Sequence, residues 1–208
     1  MEGSNPERVA RLIKHLIKCP EDIVPYFLTG PFSGKTPLDL GLPWFAWGAV
    51  RFLDIYVQPG MQVFEWGSGG STLFFARHGC QVFSVEDNAD WFDKVMASSI
   101  SYDGQRAIEL VPYDFQRATD FKKSDYLNTT YDLSAADIIV VDGTEGAVKV
   151  RPNCFERAQS ALSSGIIVVD DSWRYPEILE ATTAKKVHRF SGTGPCRPGV
   201  TSTDIHFY

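Results

Sequence analysis

Apolar residues recur at helical spacing near the start of the chain and then, from Met61, gather into short blocks. Asn5 followed by Pro6 is a helix-start signal, and Val9, Leu12, Ile13, Leu16 and Ile17 lie on one helical face until Pro20. This spacing predicts a short amphipathic lead-in helix. Residues 20 to 43, rich in Pro and Gly, predict a loop. The run "PWFAWGAVRFLDIYV" from Pro43 predicts a second helix, aromatic along one side. Its Trp44, Phe45 and Trp47 suit packing against a sheet, with a substrate lid as the alternative.

The blocks "MQVFEW", "CQVFSVE", "AIELVPY", "ADIIVVD" and "GIIVVDD" predict strands, separated by helices starting at Ser71, Asn88 and about Glu145. In the third of these helices Val148, Arg151, Phe155, Ala158 and Leu162 mark one face, and "SSG" follows as a stop. Strands alternating with helices imply an α/β fold with a parallel sheet covered on both faces. "KKVHRF" and "TSTDIHFY" predict two further strands joined by "SGTGPCRPGV".

Composition narrows the function classes. A chain of 208 residues, 44% hydrophobic and 22% charged, suits one domain, read as an N-terminal lead-in or lid over 1–58 and a ligand-binding core over 59–208. A net charge of −6 with scattered Lys and Arg disfavours general nucleic-acid binding. No long uninterrupted apolar run or secretory pattern is present, so the expectation is a cytoplasmic protein that does not engage membranes. Cys19, Cys80, Cys154 and Cys196 lie far apart without a CxxC pair and are read as reduced thiols.

The stretch "VFEWGSGGST" carries the chemistry. Gly67 and Gly69 fit the first two positions of the dinucleotide fingerprint, but Thr72 stands where its last glycine belongs. "GPFSGKTP" from Gly30 is one residue short of a phosphate-binding P-loop, and Pro37 suits a turn there better than a helix. The remaining pattern is carboxylate-x-Gly-x-Gly-Gly, Glu65 to Gly70. A strand ends at Glu65, glycines let the backbone approach a ligand, and Ser71 opens a helix whose free N–H groups face it. Such a loop suits an amino-acid end, its carboxylate at the helix start and its ammonium near Glu65.

From Met61 to Tyr208 the sequence resembles the class I S-adenosylmethionine-dependent methyltransferases. Glu65 to Gly70 matches the glycine loop, Glu86 closes the second strand, Asp114 follows the third, Asp142 follows the fourth in "VVDG", and "GIIVVDD" is similar to the fifth. The resemblance implies a Rossmann-like three-layer sandwich with a mostly parallel seven-stranded sheet, an antiparallel last strand and helices on both faces. It also implies S-adenosylmethionine as the methyl donor. Glu65, Gly67, Ser68, Gly69, Ser71, Thr72, Glu86, Asp87, Asp114 and Phe115 become the candidate cofactor-binding residues, with Glu86 on the ribose and Asp114 with Phe115 beside the adenine.

Asp142 and Asp171 are the candidate catalytic residues, Asp142 orienting or deprotonating the methyl acceptor. "VDGTEGAVKV" with "GIIVVDDSW" also resembles the catechol-type O-methyltransferase branch, whose Asp and Asp-Asn ligands hold a divalent cation such as Mg²⁺. This chain departs from that set: Asp171 replaces the Asn, and Glu145 stands where related sequences often carry His. Asp171 also suits a helix cap before "WRYPEILEAT". The acceptor is expected to be a small molecule, with Arg174 and Arg197 available to an anionic one. The lead-in helix is a lid, a homodimer contact or plain packing. Alternatives on the same fold are a spermidine-synthase type aminopropyltransferase and a non-catalytic nucleoside-binding partner subunit.

Overall fold

A computed structural model describes residues 5–98, 105–114, 120–144 and 149–208. Phe115, Glu145 and Val148 therefore lie outside the described residues. Seven strands form one sheet: β1 (Gln62–Trp66), β2 (Gln81–Glu86), β3 (Gln105–Leu110), β4 (Ile138–Val141), β5 (Ile166–Val169), β6 (Lys186–Gly192) and β7 (Thr201–Phe207). Their order is β3-β2-β1-β4-β5-β7-β6, parallel except for β7, which runs antiparallel to both β5 and β6. The expected mostly parallel sheet with an antiparallel last strand is what the chain forms. Each predicted strand block overlaps one of these strands, although β3 starts two residues before "AIELVPY" and β6 runs two residues past "KKVHRF".

Residues 138–141 and 166–169 are completely buried, as uninterrupted apolar strands covered on both faces should be. Alternation across the pleat sends Phe64, Trp66, Ile139 and Val141 to one face, against α7 (Val150–Ala161). Val63, Ile138, Val140 and Val168 go to the other, against α4 (Trp47–Tyr56) and α5 (Gly70–Arg77). Each such side chain contributes about 1.5–3 kcal/mol by burial. The sheet centre therefore holds its register tightly, and the loops beyond β1, β2, β4 and β5 all emerge at one edge. The order reverses between β1 and β4, the place where ligands of open α/β sheets bind.

Three expectations change. Residues 20–43 are not simply loop: they hold a 3₁₀ turn at Pro20–Asp22, α2 (Ile23–Thr29) and α3 (Pro37–Leu40). Pro37 opens α3 rather than opposing it, because a first-turn residue needs no N–H donor; Thr36 and Asp39 close a reciprocal capping box around it. The aromatic helix begins at Trp47 instead of Pro43. The Ala46 amide donates to Thr203 Oγ1 at 3.0 Å and the Trp47 amide to the Thr193 carbonyl at 2.8 Å, so tertiary partners take the donors that an earlier turn would use. Phe45 and Trp47 are buried as packing residues, whereas Trp44 stays about half exposed. Finally, α7 starts at Val150, and its Arg151, Phe155, Ala158 and Leu162 are buried on the predicted face.

The lead-in helix α1 (Asn5–Lys18) is anchored through His15. His15 Nε2 lies 2.6 Å from the carboxylate of buried Asp22, which also accepts from Arg51 Nη1 of α4 at 2.7 Å. A Cβ at Gly192 of β6 would lie 2.8 Å from the His15 ring, so a residue without a side chain is needed there. No helix among the described residues is long and apolar enough to cross a membrane.

Candidate active site

The glycine loop turns because Gly67 has φ of +89°, a conformation that side chains other than glycine's adopt at a cost. Its N–H donates to the Val85 carbonyl at 2.9 Å, and a Cβ would lie 2.9 Å from the Asp142 carbonyl oxygen. Gly70 at the start of α5 packs tighter still, its absent Cβ 2.0 Å from the Leu42 carbonyl oxygen. Gly69 is less restricted, since a Cβ there would meet only the Trp91 ring at 3.6 Å.

Glu65 lies under this loop, not in its mouth. It is on the α5 face of the pleat and completely buried. One oxygen accepts from Thr72 Oγ1 at 2.6 Å and from Ser84 Oγ at 2.8 Å, and Thr72 Oγ1 in turn accepts from the Gly69 amide at 3.0 Å. Thr72, which stands where the dinucleotide pattern needs glycine, thus ties the carboxylate to the loop. Among the described residues, Glu65 Oε1 has no hydrogen-bond partner. Burial raises the Glu65 pKa to about 7, with the Thr72, Ser71 and Ser84 hydroxyls working against it. The folded pKa is raised, so this group's stability contribution is complete below pH 4.5 and is lost as pH rises through 7. Glu65→Gln is expected to remove that slope, with a gain of about 3 kcal/mol or less at pH 8. Urea denaturation from pH 4 to 8 measures it; parallel curves for the two proteins would contradict the burial argument.

Glu86 at the end of β2 holds the loop from the other side. Its Oε2 accepts from the Ser68 amide at 2.9 Å and Ser68 Oγ at 2.7 Å, and its Oε1 accepts from the Asn88 amide at 3.0 Å. These bonds take three of the roughly four acceptor positions of a carboxylate. Asp87 accepts from Thr144 Oγ1 at 3.1 Å, and burial together with Glu86 raises its pKa to about 6. Gly67, Ser68, Glu86, Asp87, Asp142 and Arg151 line a cavity of about 350 Å³, with Trp44 and Trp91 among its walls. Ser71 and Thr72 are buried inside the start of α5, and Asp114 is exposed beyond β3; none of the three lines this cavity. The cavity size and the bare glycine backbone fit a nucleoside with an amino-acid tail.

Three carboxylates and two guanidiniums follow at the ends of β4 and β5. Asp142 is held by Arg151 Nη2 at 3.1 Å, and Arg151 also donates to the Gly143 carbonyl at 3.0 Å and the Asp170 carbonyl at 2.7 Å. Arg197, from the β6–β7 loop, donates to Asp170 Oδ2 and, at 3.1 Å, to Asp171 Oδ1. Thr203 Oγ1 donates to Asp170 Oδ1 at 3.0 Å, and Thr201 Oγ1 donates to Asp171 Oδ1. Burial raises Asp142 to about 6; Arg151 and Arg197 oppose it. Burial and the neighbouring Asp142 raise Asp170 to about 7. At Asp171 burial acts in the same direction, but Arg197, Thr201, Arg151 and Arg174 outweigh it and hold the pKa below the usual range.

The capping role expected of Asp171 is not realised. The residue is left-handed, φ +49°, and its side chain makes no cap bond because Thr201 and Arg197 take the carboxylate; α8 (Pro176–Ala181) starts later, at Pro176. Nor does the acid cluster fit a divalent cation. Each carboxylate already meets a guanidinium, and Arg151 and Arg197 supply the two positive charges that a metal would bring. Arg151 was missing from the sequence-derived site. Its signal was a charged residue inside a helix face otherwise made of Phe155, Ala158 and Leu162.

Comparison with protein-family models and with curated proteins finds no match. Solved structures do match. A Klebsiella pneumoniae protein described as an O-methyltransferase is 16% identical, with 97% of this chain and 98% of that chain covered and a TM-score of 0.61. Precorrin 8W decarboxylase from Methanobacterium thermoautotrophicum is 15% identical over 77% and 90%, TM-score 0.52. Precorrin-6y C5,15-methyltransferase from Geobacter metallireducens GS-15 is 13% identical over 77% and 87%, TM-score 0.51. These identities speak to architecture and not to substrate. The chain has the Rossmann-like fold of class I S-adenosylmethionine-dependent methyltransferases.

Proposed function

We propose that the protein is an S-adenosylmethionine-dependent methyltransferase acting on a small molecule, at oxygen or nitrogen. The observation that carries this reading is the cavity bounded by Gly67, Ser68, Glu86 and Asp142, where the sheet order reverses. When bound, the donor supplies an electrophilic methyl on its sulfonium for in-line displacement. Gly67 and Ser68 offer bare backbone to the donor, and Glu86 takes a ribose hydroxyl on its remaining acceptor position. A second ribose bond requires the Ser68 hydroxyl to give way. Glu65, buried beneath the loop and outside the cavity lining, supports the loop through Thr72 and does not meet the donor's ammonium.

Asp142 lines the same cavity, with Arg151 fixing its orientation. A carboxylate whose pKa is about 6 is a stronger base than an ordinary Asp and is still ionised at neutral pH. Positioning supplies the rest of the rate, and no step needs a metal. Release of S-adenosylhomocysteine over a panel of small hydroxyl and amine acceptors tests the activity. With an acceptor in hand, Asp142→Asn is expected to lower kcat by about 10²–10⁴-fold and to abolish the rise of rate with pH near 6. An unchanged kcat and pH profile would remove Asp142 from the chemistry.

A further inference from the structure

A second, smaller cavity of about 100 Å³ lies against Arg197 and shares no lining residue with the glycine-loop cavity. Arg8 and Arg11 of α1, Arg174 and Arg197 line it, with Asp171 and the Trp173 ring. Among these four guanidiniums the one lining carboxylate, Asp171, pairs with Arg197 at 3.1 Å and with Arg174 at 3.8 Å, and Arg197 also pairs with Asp170. Positive charge is in excess in a space large enough for one oxyanion and too small for a nucleoside. Two of the guanidiniums also rest over indole rings: Arg174 lies 4.9 Å from the centre of the Trp173 ring and Arg197 5.5 Å from that of Trp44, contacts that restrain where an oxyanion would meet them. Arg197 gives three of its five N–H donors to Trp44, Asp171 and Asp170.

The placement of α1 is built into the fold. Arg8 and Arg11 are three apart on one helix face, and that helix is anchored by His15 on buried Asp22 in the space left by Gly192. Without the anchor, the cavity would lose two of its four cations. Arg197 and Asp171 belong to this cavity and to the acid cluster of the candidate active site, so the two spaces adjoin.

We propose that this cavity is an oxyanion subsite, taking a carboxylate or phosphate group, and that the methyl acceptor carries such a group. The second half rests on the methyltransferase reading; the anion site itself does not. Guanidinium forks recognise both groups by paired charge-assisted hydrogen bonds. The test is isothermal calorimetry on the full chain at low ionic strength, with inorganic phosphate and acetate as separate probes and S-adenosylmethionine as a third. The wild type is expected to bind one of the two anions. The double substitution Arg8→Gln with Arg11→Gln is expected to weaken that binding about tenfold or more and to leave S-adenosylmethionine affinity unchanged, and Arg174→Gln serves as a second variant. Which anion binds more tightly assigns the group. Binding of neither anion, or equal affinity in wild type and both variants, overturns the subsite. Loss of anion binding in the variants, together with a wild type that ignores S-adenosylmethionine, sustains the subsite and overturns the methyl-donor reading instead.

Discussion

Arg197→Gln is expected to lower the unfolding free energy by about 3 kcal/mol at pH 8, because it leaves Asp170 and Asp171 buried without their principal counter-charge. The larger share falls on Asp170, which is 1% exposed and whose pKa is already raised to about 7 with the guanidinium in place. Removing Arg197 raises it further. A group whose folded pKa is raised gives stability at low pH and loses it as pH climbs, so the deficit of the variant should shrink toward pH 4 and be greatest above pH 7. Urea denaturation at pH 5 and pH 8 reads both parts of the expectation. Equal stability at pH 8 would show that the acid cluster does not depend on this arginine.

Gly67→Val is expected to weaken S-adenosylhomocysteine binding about 100-fold and to cost about 2–3 kcal/mol of stability. A β-branched residue at φ +89° is strained whatever the space, and its Cβ would also meet the Asp142 carbonyl oxygen at 2.9 Å and the Gly143 Cα at 3.1 Å. Either the loop moves or β1 and β4 separate at their ends, and both deform the cavity. Gly69→Ala is the matched control, since its Cβ would rest at ordinary contact distance from Trp91. Calorimetric titration and urea midpoints of the two variants make the comparison. A Gly67→Val protein that binds as tightly as Gly69→Ala would mean the loop is not part of the ligand site.

The two central strands were legible because four consecutive β-branched residues, Ile138 to Val141 and Ile166 to Val169, have only one way to bury both faces. The start of α5 was legible for a similar reason: glycines and small hydroxyl residues cannot be anything but a turn into a helix. What failed locally was decided at long range. Pro43 to Ala46 stays outside the helix because Thr203 and Thr193, far along the chain, take the Ala46 and Trp47 amide donors. Asp171 reads as a cap beside Ser172 but serves Thr201 and Arg197, 30 and 26 residues on. Arg197 itself sits in a loop that looks solvated, and nothing near it in sequence announces Asp170. His15 holds α1 through Asp22 seven residues away and Gly192 on the far strand, a pairing that no local pattern announces. Periodicity reports which face is buried; it is silent on which charges will meet there.

The loop from Glu65 to Thr72 is expected to hold a methyl donor and not a dinucleotide. Side-by-side calorimetry of the wild-type chain with S-adenosylmethionine, S-adenosylhomocysteine and NAD tests it most directly. Binding of both sulfur nucleosides, lost in Gly67→Val and weakened in Glu86→Ala, with no heat from NAD, is the predicted result. Binding of NAD with neither sulfur nucleoside bound would contradict the account.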